Sequence, residues 1–137
     1  MSSFPVTIFH NPACGTSRNT LTAIRESGVE PTVVEYLKTG WTKPRLTALL
    51  ARMGKRPRDI LRVRGTPAEE LGLTDPAVSD DAILEAMTQH PILVERPIVE
   101  SPKGVVLSRP SEAVFAVLES VPAEFVKEDG ERILPKG

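Results

Sequence analysis

A single cysteine, Cys14, lies where a short apolar segment gives way to a helical pattern. Val6–Phe9 is typical of a β-strand, Asn11-Pro12 breaks it, and helical periodicity begins near Thr16. Unpaired N–H groups and the positive end of a helix dipole favour the ionised form of a thiol at such a position. The alternative is a buried structural cysteine. Because the neighbouring residues are polar and include glycine, the pattern favours a reactive thiolate.

Polar side chains flank this cysteine in the sequence. The hydroxyl groups of Thr16 and Ser17 could donate hydrogen bonds to the sulfur. Arg18 and His10 could lend positive charge, which also stabilises a thiolate. Two interpretations of His10 stay open, because it falls at the end of the strand. It either favours ionisation of the thiol or caps the strand and bonds to the backbone.

Composition and cysteine count restrict the class of protein. The chain has 137 residues, a length that fits one domain. Its formal net charge of −1 gives no reason to expect binding to nucleic acid or to an anionic membrane. No apolar run approaches the roughly 20 residues of a membrane span, and no secretion signal is visible. One cysteine excludes an internal disulfide and a zinc site built from several thiolates. We therefore expect a cytoplasmic protein without a bound metal, whose cysteine, if oxidised in turnover, is reduced by another molecule.

The remaining elements follow from periodicity and from turn residues. Strand, helix and turn signals predict a second strand at Thr32–Tyr36, a helix at Lys43–Met53, short helices around Ile60-Leu61 and Ala68–Leu71, a helix from Ser79 to His90, strands at Pro97–Val99 and Val105–Leu107, and a last helix after Pro110. Residues from Pro122 onward are left without predicted structure. The first strand, helix and second strand form a predicted parallel βαβ unit.

This order resembles the thioredoxin-like fold, an α/β class with a mixed central sheet and, here, a helical insertion between the second and third strands. We expect one domain over residues 1–137, with the insertion at about residues 43–91. In thioredoxin-like folds a cis-proline precedes the third strand and lies against the active cysteine. Arg96-Pro97 stands at that place, and X–Pro bonds are the only common cis peptides. An ordinary trans proline at the start of a strand is the alternative.

The residues around Cys14 also carry a family resemblance. His10–Leu21 resembles the active-site segment of the glutaredoxin-dependent arsenate reductases. Five later segments agree with the family in the same order: Glu69–Leu73, Gln89–Leu93, Arg96–Val99, Arg109–Glu112 and Lys127–Gly130. A lone C-x-x-S would be weak, because monothiol glutaredoxins also carry it. The collinear set makes the resemblance specific.

The resemblance implies an oxyanion site made of one cysteine and three arginines. Cys14 matches the nucleophile, and Arg62, Arg96 and Arg109 match the arginines that hold the oxyanion and its thiol adduct. Guanidinium groups suit this role because they stay charged and offer forked donors that match oxyanion edges. Arg62 is supported by alignment of the motif Ile60-Leu61-Arg62 alone.

The resemblance further implies the reaction and its partners. The Cys14 thiolate attacks arsenate, glutathione attacks the adduct as co-substrate, and reduction with glutaredoxin releases arsenite; no cofactor is bound. His10 and Ser17 match residues that favour ionisation of the thiol. The single cysteine argues against the arsenate reductases that resemble tyrosine phosphatases, which pass a disulfide between several of their own cysteines. Their C-x5-R loop is also missing, because it would need arginine where Thr20 stands.

Two alternatives come from other functional classes. One is a non-enzymatic redox-sensing regulator of the same superfamily that binds RNA polymerase. Such regulators typically carry C-x-x-C, whereas Ser17 occupies the second position here. The other is a monothiol glutaredoxin that holds an iron–sulfur cluster with glutathione, but the long insertion and the arginine pattern do not belong to it.

Overall fold

The structure is a computed structural model that describes residues 4–135. The chain divides into two compact units, one made of residues up to Glu35 together with those from Arg96 onward, and one made of Tyr36–Glu95. The prediction of a single domain with an insertion at about residues 43–91 stays a prediction. Among the described helices, none has both the length and the apolar character needed to cross a bilayer.

A four-stranded mixed sheet forms the centre of the first unit. Its strands and helices are β1 (Thr7–His10), α1 (Gly15–Glu26), β2 (Thr32–Glu35), β3 (Ile98–Ser101), β4 (Gly104–Leu107) and a 3-10 helix at Ser111–Val117. The strand order is β2-β1-β3-β4, with β1 parallel to β2 and the other pairs antiparallel. The predicted parallel βαβ unit and the mixed sheet are therefore confirmed.

One face of this sheet packs against α1 and the 3-10 helix. Ile8, Val99, Ile24 and Val114 are each fully buried in this cluster. The alternation of strand side chains places Ile8 and Val99 on the same face, and their backbones are partners in the β1–β3 register. Burial of these side chains fixes α1, and with it Cys14, against the sheet.

The second unit is helical. It contains α2 (Tyr36–Thr39), α3 (Lys43–Met53), a 3-10 helix at Pro57–Ile60, α4 (Asp80–Gln89) and a 3-10 helix at Pro91–Leu93. The Thr42 hydroxyl accepts from the Arg45 N–H at 3.3 Å, and the Ser79 hydroxyl accepts from the Ala82 N–H at 3.1 Å, so both long helices begin at side-chain caps. α3 ends at Gly54, whose φ of 68° is left-handed.

Several elements differ from the sequence-based predictions, among them an unpredicted 3-10 helix at Pro91–Leu93. Tyr36 begins α2 instead of extending β2, and the last predicted helix is a 3-10 helix. Residues 68–71 form turns instead of a helix; Gly65 and Gly72 adopt positive φ on either side, which leaves too few residues to offset helix nucleation. The tail forms a hairpin, β5 (Phe125–Val126) with β6 (Arg132–Ile133), that was not predicted.

Two X–Pro bonds that flank the β3–β4 hairpin are cis. The Arg96-Pro97 bond is cis, as the topology predicted, and the Arg109-Pro110 bond is cis as well, which the sequence did not indicate. The first precedes β3 and the second follows β4. The two residues before these prolines therefore emerge from the same end of the β3–β4 hairpin.

Candidate active site

The loop between β1 and α1 holds Cys14 at the helix start. Cys14 is the N-cap residue of α1, with extended backbone angles, and its N–H donates to the Asn11 carbonyl at 3.0 Å. The Asn11 side-chain carbonyl accepts from the Ala13 N–H at 3.0 Å, and the Cys14 carbonyl accepts from the Arg18 N–H at 3.0 Å. The local sequence therefore builds the helix-start position that its pattern predicted for Cys14.

Two arginines from the β3–β4 hairpin reach this position. Arg109 Nη1 donates to Cys14 Sγ at 3.6 Å and to the Arg96 carbonyl at 2.8 Å. The hairpin brings these arginines together because the Ser108 N–H donates to the Pro97 carbonyl at 2.9 Å, next to both cis bonds. Within residues 4–135, Arg96 Nε and Nη1 are buried and have no hydrogen-bond partner. Buried N–H groups of this kind are available to an anionic ligand.

The environment of the thiol favours its ionised form. Burial raises the pKa of the Cys14 thiol, but the Ser17 backbone N–H and the guanidinium groups of Arg96 and Arg109 outweigh it. The pKa of Cys14 therefore lies below its ordinary value. This combination of a thiolate and two arginines supports nucleophilic attack on an anion.

Ser17 acts on the thiol through its backbone, while its hydroxyl faces the other way. The hydroxyl lies 2.6 Å from His10 Nδ1 and accepts from the Asn11 N–H at 3.1 Å. Ser17 is fully buried and His10 is 5% exposed. His10 therefore contacts the side chain of Ser17, whereas the backbone N–H of Ser17 interacts with the Cys14 thiol.

His10 sits in a place that disfavours the imidazolium. Burial lowers its pKa, and the charges of Arg25 and Arg18 lower it further against the opposing effect of Glu35. At neutral pH the ring is therefore neutral, so the positive charge expected of His10 near the thiol is not favoured here. Its role in ionising Cys14 stays a prediction.

Arg62 belongs to the second unit. Its backbone N–H donates to the Leu93 carbonyl at 2.7 Å, and its side-chain Nη1 donates to Glu95 Oε1 at 2.9 Å. The side chains of Arg62 and Glu95 are 17% and 24% exposed. The implied role of Arg62 as an oxyanion ligand stays a prediction.

Arg18 is held by groups that sequence reasoning did not connect to the site. Its Nη1 donates to the Pro12 carbonyl at 2.9 Å, and its Nε and Nη2 bond to Glu128 at 2.9 and 3.0 Å. The signal that could have found Glu128 is its place in Lys127–Gly130, one of the segments collinear with the resembling family. No group of three potential metal-ligating side chains occurs in residues 4–135.

The sequence profile of the ArsC family matches residues 9–117, a range that contains Cys14, Arg96 and Arg109. The chain belongs to the ArsC family. It is 53% identical over 133 residues to an arsenate reductase of Rhizobium meliloti (strain 1021), with 96% of this chain and 95% of that protein aligned. It is 51% identical over 130 residues to an arsenate reductase of Escherichia coli (strain K12), with 94% of this chain and 92% of that protein aligned.

A solved structure of an arsenate reductase has a similar fold. The arsenate reductase from Vibrio cholerae is 37% identical and superimposes with a TM-score of 0.81, covering 85% of this chain and 100% of that chain. The thioredoxin-like fold predicted for this ArsC-family chain is therefore confirmed.

Proposed function

We propose that this ArsC-family chain reduces arsenate to arsenite, with glutathione and glutaredoxin as the external reductants. The observation that carries the proposal is the pairing of a stabilised thiolate with two guanidinium groups. Arg109 Nη1 lies 3.6 Å from Cys14 Sγ, and Arg96 offers two buried N–H groups that have no partner among the described residues. The two curated relatives reported above are named arsenate reductases, which supports the same substrate.

The two arginines offset the electrostatic repulsion between the thiolate and its anionic substrate. Arsenate carries negative charge near neutral pH, and the attacking thiolate is also negative. Two like unit charges 4 Å apart repel by about 4 kcal/mol at an effective dielectric constant of 20. Because Arg96 and Arg109 each place a fixed positive charge beside the sulfur, they offset this repulsion and orient the anion by forked hydrogen bonds.

The proposed reaction has four steps and uses Cys14 as the nucleophile. The Cys14 sulfur bonds to arsenic, and one arsenate oxygen leaves as water after protonation. Glutathione then bonds to arsenic through sulfur and displaces a second oxygen as water. The glutaredoxin thiol attacks the glutathione sulfur and forms a glutaredoxin–glutathione mixed disulfide. The bond between the glutathione sulfur and arsenic breaks, and its electron pair reduces arsenic(V) to arsenic(III), which stays bound to Cys14. Water finally releases arsenite and returns the free thiol.

The remaining site residues have proposed supporting roles. The Ser17 backbone N–H stabilises the thiolate, and the buried bond between Ser17 and His10 holds the helix start in place. Arg62 is retained as a third oxyanion ligand on the basis of the resemblance alone. A cytoplasmic location is part of the proposal, because glutathione and glutaredoxin act in reducing compartments.

A coupled assay tests the proposal. Arsenate-dependent NADPH oxidation is measured with glutathione, glutaredoxin and glutathione reductase, while arsenite is detected directly. We expect turnover by the wild-type chain and background rates for Cys14→Ser. Thr22→Ala, an exposed change on the same helix, serves as the matched control and is expected to keep wild-type rates.

Two results would contradict the proposal. A folded wild-type protein with a free thiol that does not reduce arsenate would leave the redox-sensing regulator as the better interpretation. Turnover by Cys14→Ser at the wild-type rate would remove Cys14 from the mechanism.

A further inference from the structure

The ion pair between Arg18 and Glu128 joins the C-terminal hairpin to the loop that carries the nucleophile. Glu128 accepts from Arg18 Nε at 2.9 Å and from Nη2 at 3.0 Å, while Arg18 Nη1 donates to the Pro12 carbonyl at 2.9 Å. All three guanidinium nitrogens are therefore engaged. The pair lies over the first residue of α1, because a Cβ added at Gly15 would be 3.6 Å from Arg18 Nη2 and 3.9 Å from Glu128 Oε1.

The geometry of the guanidinium makes the two contacts interdependent. Its nitrogens lie in one plane in a fixed fork, so a carboxylate that takes Nε and Nη2 sets the direction of Nη1. In this chain that direction is toward the carbonyl of Pro12, two residues before Cys14. Without Glu128, the long Arg18 side chain regains rotamer freedom, and the Pro12 carbonyl loses its fixed donor.

We propose that Glu128 is a positioning residue that acts through Arg18 to hold the segment Pro12–Cys14 in register with the oxyanion site. The inference rests on the proposed function, because it assigns Glu128 to the approach of the Cys14 thiolate toward arsenate. Glu128 touches neither the thiol nor the substrate in this assignment. Its effect is on the orientation of the loop that carries Cys14.

The backbone around Glu128 is anchored without the ion pair. The Glu128 N–H donates to the Asn19 side-chain carbonyl at 2.9 Å. Its neighbour Lys127 is 10% exposed, and its Nζ lies 2.7 Å from Glu112 and 3.1 Å from Glu131. Removing the Glu128 carboxylate therefore leaves the hairpin held in place by these contacts.

A contribution to stability does not explain the pair. The side chains of Arg18 and Glu128 are 44% and 50% exposed, and exposed ion pairs contribute little to folding stability. Arg25, on the same helix, forms a comparable bidentate pair with Glu30, which lies beyond the end of that helix; their side chains are 50% and 71% exposed. Glu30→Ala is therefore a matched control that removes the same chemistry away from Cys14.

The test compares Glu128→Ala, Arg18→Ala, the double variant and Glu30→Ala in three measurements. These are kcat and KM for arsenate, the rate of Cys14 alkylation by iodoacetamide across pH, and amide hydrogen exchange at Ala13 and Cys14. We expect kcat/KM to fall about tenfold in Glu128→Ala, in Arg18→Ala and in the double variant alike, because a misplaced nucleophile loses rate steeply. Glu30→Ala should stay within twofold of wild type.

Alkylation separates positioning from ionisation. Iodoacetamide is small and neutral, so it needs a thiolate but no orientation relative to the arginines. Loss of the negative charge of Glu128 does not itself destabilise the thiolate, and the Ser17 N–H, Arg96 and Arg109 remain beside the sulfur, so we expect the alkylation rate of Glu128→Ala to be at least half that of wild type. A fall in alkylation that parallels the fall in turnover would overturn the positioning role.

Three other outcomes also decide the inference. Wild-type turnover in Glu128→Ala would overturn it. A fall in kcat/KM of about a hundredfold in the double variant, the product of the two single losses, would also overturn it, because the two residues would then act independently. If the wild-type chain does not reduce arsenate, the proposed function fails. Hydrogen exchange alone then tests whether Glu128 positions the segment Pro12–Cys14. The positioning role is supported if amide exchange at Ala13 and Cys14 is about tenfold faster in Glu128→Ala and Arg18→Ala but not in Glu30→Ala. Unchanged exchange in the first two variants overturns it.

Discussion

At Cys14, burial and charge act on the thiol in opposite directions. Burial raises its pKa, whereas the Ser17 N–H, Arg96 and Arg109 together lower it below the ordinary value. The thiol thus keeps a partly buried position suited to binding a ligand and still ionises. Its reactivity depends on two side chains that lie far from it in sequence.

Arg109→Ala should shift the pH dependence of Cys14 alkylation. Removing a positive charge beside the sulfur destabilises the thiolate, so the pKa rises and the alkylation profile moves to higher pH. The measurement is the rate of iodoacetamide reaction as a function of pH. Arg132→Ala, which removes an exposed arginine paired with Glu124, is the control and should leave the profile in place. A profile that moves to lower pH or stays unchanged in Arg109→Ala would contradict the assignment.

Ser17→Ala should reduce stability more than it changes the ionisation of Cys14. The lost hydroxyl leaves the buried His10 ring and the Asn11 N–H without their partner, which costs about 1–3 kcal/mol. The Ser17 backbone N–H remains, so the alkylation profile should stay close to that of wild type. Urea unfolding measures the first effect, with the exposed Thr22→Ala as control. A large rise in the pKa of the thiol would show that the hydroxyl acts on the sulfur directly.

Among the elements of the first unit, the short C-terminal hairpin depends on buried charge. Lys127, in the turn between β5 and β6, has a side chain only 10% exposed and contacts Glu112, the second residue of the 3-10 helix that follows Arg109-Pro110. Burial opposes both charges, yet the pair holds the pKa of Glu112 below and that of Lys127 above their ordinary values. The hairpin thus meets the segment that follows Arg109 as well as the start of α1.

Lys127→Met should destabilise the protein by about 1–2 kcal/mol, because it leaves the Glu112 carboxylate without its cation in a partly buried site. The pKa of Glu112 is lowered in the folded state, so the contribution of this pair is present at neutral pH. It is lost as pH falls through the folded pKa of Glu112. The difference in free energy of unfolding between wild type and variant should therefore shrink in acid, as followed by urea unfolding at several pH values.

Lys43→Met is the matched control for this substitution. Lys43 also bridges two carboxylates, Asp81 and Glu85, but its side chain is 36% exposed instead of 10%. We expect a smaller loss of stability than in Lys127→Met. An equal loss in the two variants would show that burial does not set the strength of the Lys127 contact.

For the whole molecule, one cysteine in 137 residues limits how turnover can proceed. With arsenate but without glutathione or glutaredoxin, we expect no arsenite and no disulfide within the chain, because no second thiol is present. Arsenic speciation and thiol titration after incubation measure this directly. Stoichiometric arsenite formation by the chain alone would contradict the proposed dependence on external thiols.

Local patterns were enough to predict much of the scaffold. The strand break at Asn11-Pro12 and the periodicity after Thr16 placed Cys14 at a helix start, and capping residues marked the beginnings of α3 and α4. These signals involve residues within a turn or two of each other. The β5–β6 hairpin was missed, because two-residue strands carry no alternation that a sequence pattern can detect.

The sequence by itself determined the position of the thiol and the order of the four sheet strands and the long helices, since these signals depend on neighbouring residues. Only the tertiary structure decided what surrounds the thiol. Arg109 reaches Cys14 across 95 positions of the chain because β3 pairs with both β1 and β4, and Glu128 reaches Arg18 across 110. Likewise, only packing decided that the Ser17 hydroxyl bonds to His10 while its backbone N–H serves the sulfur. Such contacts depend on which surfaces pack together, and that is set by the burial of the whole core and not by any local pattern.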